Sequence, residues 1–207
     1  MKINKLKTNN NIKANQIRFV FSWYNKKRNS IKNGGNILVY YILYSSPIGE
    51  LTIVSDKENI IGLWIENQKY FKSTINEKMI EDNNLPILKK TKNWLDRYFN
   101  GDKPQINELP LKPKGTKFRL LVWQILTEIP YGEVITYQDI SKKICKIMKK
   151  EKMSSQAIGG AVGHNPISII IPCHRVIGTD GTLKGYAGGL DKKEKLLKLE
   201  GFTLYKK

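Results

Sequence analysis

Between positions 37 and 66 the chain turns apolar in three short bursts, Ile37–Tyr44, Leu51–Asp56 and Ile60–Glu66, all rich in β-branched and aromatic residues. Two turn-like tetrads separate them, Ser46-Pro47-Ile48-Gly49 and Asp56-Lys57-Glu58-Asn59, so the pattern predicts three strands with tight connections. The period then changes. Leu88, Thr91, Leu95 and Tyr98 recur at steps of three and four, with Trp94 and Phe99 beside them. That spacing predicts a helix from near Pro86 to Gly101. Residues 37–100 thus read as a small α/β unit carrying no obvious chemistry. Residues 101–116, punctuated by Pro104, Pro110, Pro113, Gly101 and Gly115, read as a linker.

The second unit, 117–207, is mainly helical in pattern. Phe118, Leu121, Val122, Ile125, Leu126 and Ile129 form one apolar stripe, closed by Pro130-Tyr131-Gly132. Thr136-Tyr137-Gln138-Asp139 reads as a capping box opening a helix with Ile140, Ile144 and Ile147 inward. After a polar turn, Lys149 to Lys152, Ser154 can cap a short helix from Ser155 to Gly163. Two short helices joined by a turn are a helix-turn-helix candidate. Ser168 to Ile171 reads as a buried run leading in extended form into Pro172-Cys173-His174-Arg175, and Asp191 with Glu194 as the cap of a last helix reaching Glu200.

Composition adds a partner class. Lysine and arginine exceed the acids by 18, and residues 1–36 hold nine basic residues and no acid. This Asn- and Lys-rich segment reads as a disordered extension, with a nucleic-acid-binding arm as the sharper alternative. The remainder is still basic, which favours a polyanion partner, nucleic acid or an anionic membrane surface. No apolar run approaches the ~18 residues of a membrane span. Two cysteines exclude a disulfide framework and point to a reducing, cytoplasmic setting.

Two features could carry chemistry. The helix Ser-Gln-Ala-Ile-Gly-Gly-Ala-Val-Gly at 155–163 spends glycines where each costs about 1 kcal/mol relative to alanine. Either it packs tightly on another helix, or the small residues around Gly159 and Gly160 let it approach a DNA backbone or narrow groove. Cys173, preceded by Pro172 and followed by a basic pair, is a candidate low-pKa nucleophile. In an extended segment its side chain and that of His174 point to opposite faces, so a water would bridge them. Cys145, His164, Cys173 and His174 have spacings unlike structural zinc, and Cys145 falls beside the core stripe, as a buried residue does. His164 reads as a surface or capping residue, Tyr137 as a half-buried aromatic or a proton donor, and Tyr186 as a pocket wall in a Gly-rich loop. A cysteine hydrolase built on Cys173 and His174 is the alternative from another class, but it leaves the basic surface and the glycine-rich helix without a purpose.

Ile171-Pro172-Cys173-His174-Arg175-Val176-Ile177-Gly178 resembles the active-site signature of the O6-alkylguanine-DNA alkyltransferases. The likeness extends to Phe118–Trp123, Gly132–Tyr137, Gly159–Pro166, Tyr186–Leu190 and Ser46–Gly49, and so covers about residues 37–204. The resemblance implies a ribonuclease-H-like α/β domain followed by a mainly helical, winged-helix-like DNA-binding domain. It implies duplex alkylated DNA bound through the minor groove, base flipping, and irreversible transfer of the alkyl group from O6-alkylguanine, and O4-alkylthymine, to Cys173. In that scheme His174 takes the thiol proton through a water, Glu200 orients His174, Asn165 supports the active-site turn, and Tyr137 donates a proton to the leaving base. Tyr186 lines the pocket, Val176 and the amides near Ala187 read the base, and Gln156, Ala157, Gly159, Gly160 and Arg175 face the DNA. Gln156 stands where relatives commonly carry an intercalating arginine. A non-catalytic lesion binder of the same build is disfavoured by the presence of Cys173. No cofactor, metal or obligate protein partner is expected, and the chain should act as a monomer. The reading requires a thiol held ionised and accessible beside a purine-sized cavity.

Overall fold

The computed structural model describes residues 38–203; the basic extension read at 1–36 lies outside them. Strands β1 (Leu38–Ser46), β2 (Gly49–Ser55) and β3 (Ile60–Ile65) form an antiparallel meander in the order the apolar bursts predict. A fourth strand, β4 (Lys78–Glu81), adds in parallel beside β1, giving the sheet order β3-β2-β1-β4. The pattern missed β4, because four half-exposed residues carry no usable alternation.

β3 is buried at all six positions although it ends the sheet. Its free edge is sealed by two segments from outside the meander. Ile60 pairs with Leu111, and Leu63 with Ile167, through bonds such as Lys112 N to Ile60 O and Ser168 N to Leu63 O, both 2.8 Å. Covering an edge in this way satisfies its backbone groups and removes a template for aggregation. The expected linker 101–116 is therefore strapped down over part of its length. It contains a 3-10 turn at Ile106–Glu108, buries Leu109, and receives the Trp94 indole N–H at Gln105 O, 2.9 Å.

Helix α1 (Pro86–Phe99) starts with proline in its first turn and buries Leu88, Thr91, Trp94, Leu95 and Tyr98. Helix α2 (Lys117–Thr127) is capped by Thr116, whose hydroxyl accepts from Arg119 N. α3 (Tyr137–Met148) opens with the capping box the sequence announced: Thr136 and Asp139 bond reciprocally. α4 (Ser155–Gly163) follows after a turn entered through Lys149 in the left-handed region. Ser154 occupies its N-cap without a side-chain bond; its backbone carbonyl starts the ladder at Ile158 N instead. Short strands β5 (Ile135–Thr136) and β6 (Val176–Ile177) pair in parallel. The last helix, α5 (Leu190–Leu199), is entered through Gly189 at φ +99°, not through the Asp191–Glu194 cap expected, and Glu200 is its C-cap.

One apolar cluster runs from Ile42 and Leu51 in the sheet through Trp94, Trp123 and Ile158 to Leu196. A smaller one, Val39, Val54, Ile61 and Trp64, covers the opposite face of the sheet. Among the described residues no helix is long and apolar enough to cross a membrane.

Candidate active site

The segment entering the site is a tight turn, where the sequence suggested an extended run. Ile167 to Ile171 are all buried, and Ile169 sits at φ +69°. A β-branched residue in the left-handed region is a genuine outlier, costing on the order of 1–3 kcal/mol. Asn165 offsets that cost. Its Oδ1 accepts from Ile167 N at 3.0 Å, and its Nδ2 donates to Ile171 O at 2.7 Å and reaches Cys173 Sγ at 3.1 Å. Such bonds are worth about 1 kcal/mol each, so one buried side chain can hold the turn. Pro172 then leads into a 3-10 turn, Cys173–Arg175. This turn corrects the extended reading: the chain curls, and all three side chains go inward.

His174 is fully buried, and its Nε2 donates to Glu200 Oε1 at 2.7 Å. That bond fixes the neutral tautomer and leaves Nδ1 as the base; Nδ1 is buried and makes no hydrogen bond to a described residue. Glu200 is crowded with donors. Arg175 gives two bonds, Nε to Oε2 at 2.8 Å and Nη2 to Oε1 at 2.9 Å. Tyr98 Oη gives one to Oε1 at 2.6 Å, and Gly132 N one to Oε2 at 3.2 Å. Position 132 needs glycine, since a Cβ there would lie 2.8 Å from Glu200 O and its φ is +76°. Burial alone would raise the Glu200 carboxyl, but the bonds from His174 and Arg175 outweigh it and hold the pKa at about 2.

The thiol is not held ionised. Burial pushes Cys173 up, against the opposing pull of Asn165 and Lys193, and burial pushes His174 down, against Glu200. The resting pair is neutral, SH beside imidazole. Nor is the thiol openly accessible: Cys173 is 4% exposed. Arg175 is a second correction. Its guanidinium binds Glu200 and Ile129 O and is buried, so it cannot face DNA. Val176 lies wholly in the core; its carbonyl accepts from Lys193 Nζ at 2.6 Å. The sequence missed this lysine, which sits in a charged run and looks like a surface residue. It is buried and also donates to Lys184 O at 2.6 Å, and burial lowers its pKa to about 8.

A groove of about 1090 Å³ opens beside α4; Asn165, Cys173, His174 and Glu200 do not line it. Tyr137, Lys142, Tyr186, Ala187, Gly159 and Gly160 line it, with Lys69 and Tyr70 from the segment after β3. Tyr137 Oη reaches Gly185 O at 3.4 Å, and burial raises its pKa to about 12. The Tyr186 hydroxyl is buried, with the Ser168 side chain beside it. A negative charge on Cys173 would raise the pKa of both phenols, which places the sulfur close to each. Gln156 is exposed and Ala157 half-buried on α4; neither lines the groove. A Cβ added at Gly159, Gly160 or Gly163 would meet nothing within 4 Å, so tight helix packing is not what these glycines serve. Cys145, expected in the core, is half-buried and lines the groove. His164 caps α4 and stacks on Tyr70, ring centroids 3.7 Å apart. Among the described residues no three His, Cys, Asp or Glu side chains gather to hold a metal.

Comparison with known proteins agrees with this architecture. Residues 39–113 match the ribonuclease-like domain of 6-O-methylguanine DNA methyltransferase, and residues 117–202 match its DNA-binding domain. A methylated-DNA–protein-cysteine methyltransferase from Haemophilus influenzae is 44% identical over 162 residues, covering 78% of this chain and 86% of the relative. A constitutive one from Bacillus subtilis is 35% identical over 171 residues, covering 81% and 99%. The crystal structure of Mycobacterium tuberculosis OGT in complex with DNA superposes with a TM-score of 0.69 at 36% identity, covering 78% and 93%. On two matching domains and relatives of this identity and coverage, the chain belongs to the 6-O-methylguanine DNA methyltransferase family.

Proposed function

We propose that this chain repairs alkylated duplex DNA by direct reversal, as a single-turnover methylated-DNA–protein-cysteine S-methyltransferase acting on O6-alkylguanine and O4-alkylthymine. The observation that carries the reading is the buried cluster of Asn165, Cys173, His174 and Glu200 that follows a helix whose glycines face open space. The glycine face of α4 lets the helix backbone approach the minor groove, with Gln156 and Ala157 on the helix toward the displaced base pair. The damaged base turns out of the stack toward the part of the groove lined by Tyr186 and Ala187.

Chemistry starts from the neutral pair. The Cys173 proton passes through a water to His174 Nδ1, and Glu200 stabilises the imidazolium that results. The sulfur attacks the alkyl carbon; the S–C bond forms as the C–O bond breaks. Tyr137 supplies a proton to the departing base, so guanine leaves neutral, and the proton held on His174 is released to solvent as the phenol regains its own. The thioether has no leaving route at neutral pH, and the chain is spent. Because the thiol is buried, the alkyl group reaches it only if the 183–189 loop yields; that loop is held by Lys193 and by Lys69 N to Ala187 O, 2.8 Å. With both cysteines free, a reducing, cytoplasmic location suits the chemistry.

The test separates binding from transfer. Cys173→Ala should bind a methylated duplex as tightly as the parent and take up no labelled methyl group. Loss of binding together with transfer would make Cys173 a structural residue and overturn the proposal.

A further inference from the structure

The ribonuclease-like part supplies no residue to the reaction as described so far, yet its helix α1 places one group inside the relay. Tyr98 is 1% exposed. Its hydroxyl donates to Glu200 Oε1 at 2.6 Å and lies 3.5 Å from His174 Nε2. Its ring is held by Trp94, centroids 5.6 Å apart and nearly parallel, and by the edges of Phe99 and Tyr131.

We propose that Tyr98 is a positioning residue that competes with His174 for one oxygen of Glu200 and so keeps the Cys173–His174 pair uncharged at rest. The inference rests on the reading of Cys173 and His174 as nucleophile and base. Glu200 Oε1 receives three donors, from Tyr98, His174 and Arg175, but a carboxylate oxygen offers only two lone-pair directions. In a buried site of low dielectric that competition is felt strongly. Each donor weakens the others' hold, and the donor that gains most from a stronger hold is the one that can become charged, His174. Removing the phenolic hydrogen frees Oε1 for His174 and favours imidazolium, and with it the thiolate. The charged and titratable groups around this point are few. Glu200 and Lys193 come from the last helix and its cap, Arg175 and Cys173 from the 3-10 turn, Tyr131 from the turn before β5, Tyr137 from α3, and Tyr186 from the loop before α5. Arg175 and Lys193 both disfavour a charged His174.

Only two histidines exist in the chain, so ring 15N NMR on the full-length protein follows His174 directly, with His164→Asn to assign the signals. Tyr98→Phe keeps the ring stack and removes the hydroxyl. It should raise the His174 pKa by about half a unit, roughly threefold in proton affinity, and move the acid limb of Cys173 alkylation by iodoacetamide the same way. A 3-fluorotyrosine at position 98, a stronger donor of the same shape, should lower the His174 pKa, and it decides the matter if Tyr98→Phe does not fold. An unchanged His174 titration in the folded variants, or shifts of the opposite sign, overturns the proposal. Both readouts work without DNA. A protein that shows the shifts but takes no methyl group from DNA would refute the repair reading and leave the role of Tyr98 standing.

Discussion

At the scale of single residues, Glu200 is where acid first undoes the site. Its carboxyl is ordinarily at 4.5 and is held at about 2 in the fold. A depressed acid contributes stability in full above its unfolded pKa and loses it as pH falls toward the folded one. The window is therefore from about pH 4.5 down to about 2. Glu200→Gln should lower stability at pH 7 by about 3–5 kcal/mol, because Arg175 is left as an uncompensated buried charge. It should also flatten the acid slope of thermal unfolding midpoints within that window; an unchanged slope would mean the carboxylate is not depressed. The reach of sequence reasoning differs sharply among these residues. The resemblance singles out Cys173, His174, Asn165 and Glu200 at fixed places in a motif or at a helix end, and the fold brings the four together. Tyr98 was not legible, since its partner lies 102 positions away and its spacing on α1 is that of any core residue. Arg175 was misread because the 3-10 turn, invisible in the local pattern, swings a basic side chain inward.

Helix α4 shows the same contrast at the scale of elements. Its bounds and glycines were plain from the sequence, but what the glycines face was not; both packing and approach to DNA remained open until their surroundings were known. Nothing lies within 4 Å of a Cβ built at Gly160. Gly160→Ala should therefore stabilise the fold by roughly 0.5–1 kcal/mol, the ordinary gain of alanine over glycine in a helix. The same change should weaken binding to duplex DNA, because the added methyl group occupies the space into which the backbone of the partner must come. A destabilised variant, or one that is stabilised and binds as before, would contradict that reading of the groove. The capped α3 and the three-strand meander were legible because their signals are local. β4 and the strap at 110–112 were not, because both form by pairing with distant strands and have little pattern of their own.

Over the whole molecule, the ribonuclease-like and DNA-binding parts share one apolar core, and segments at 110–112 and 166–168 seal the same strand edge. The turn carrying Asn165 and Cys173 is thus anchored to the sheet, and α1 delivers Tyr98 to the relay from the sheet's side. The net charge of +18 favours a polyanion, and binding should weaken as salt rises. The proposed reaction is a single covalent event at one sulfur. Intact-mass spectrometry of the full chain after incubation with a duplex holding one O6-methylguanine tests it most directly. The mass should rise once, by about 14 Da, the adduct should map to the peptide containing Cys173, and excess DNA should add nothing more. No mass change on methylated duplex, or a methyl group found on Cys145, would contradict the account.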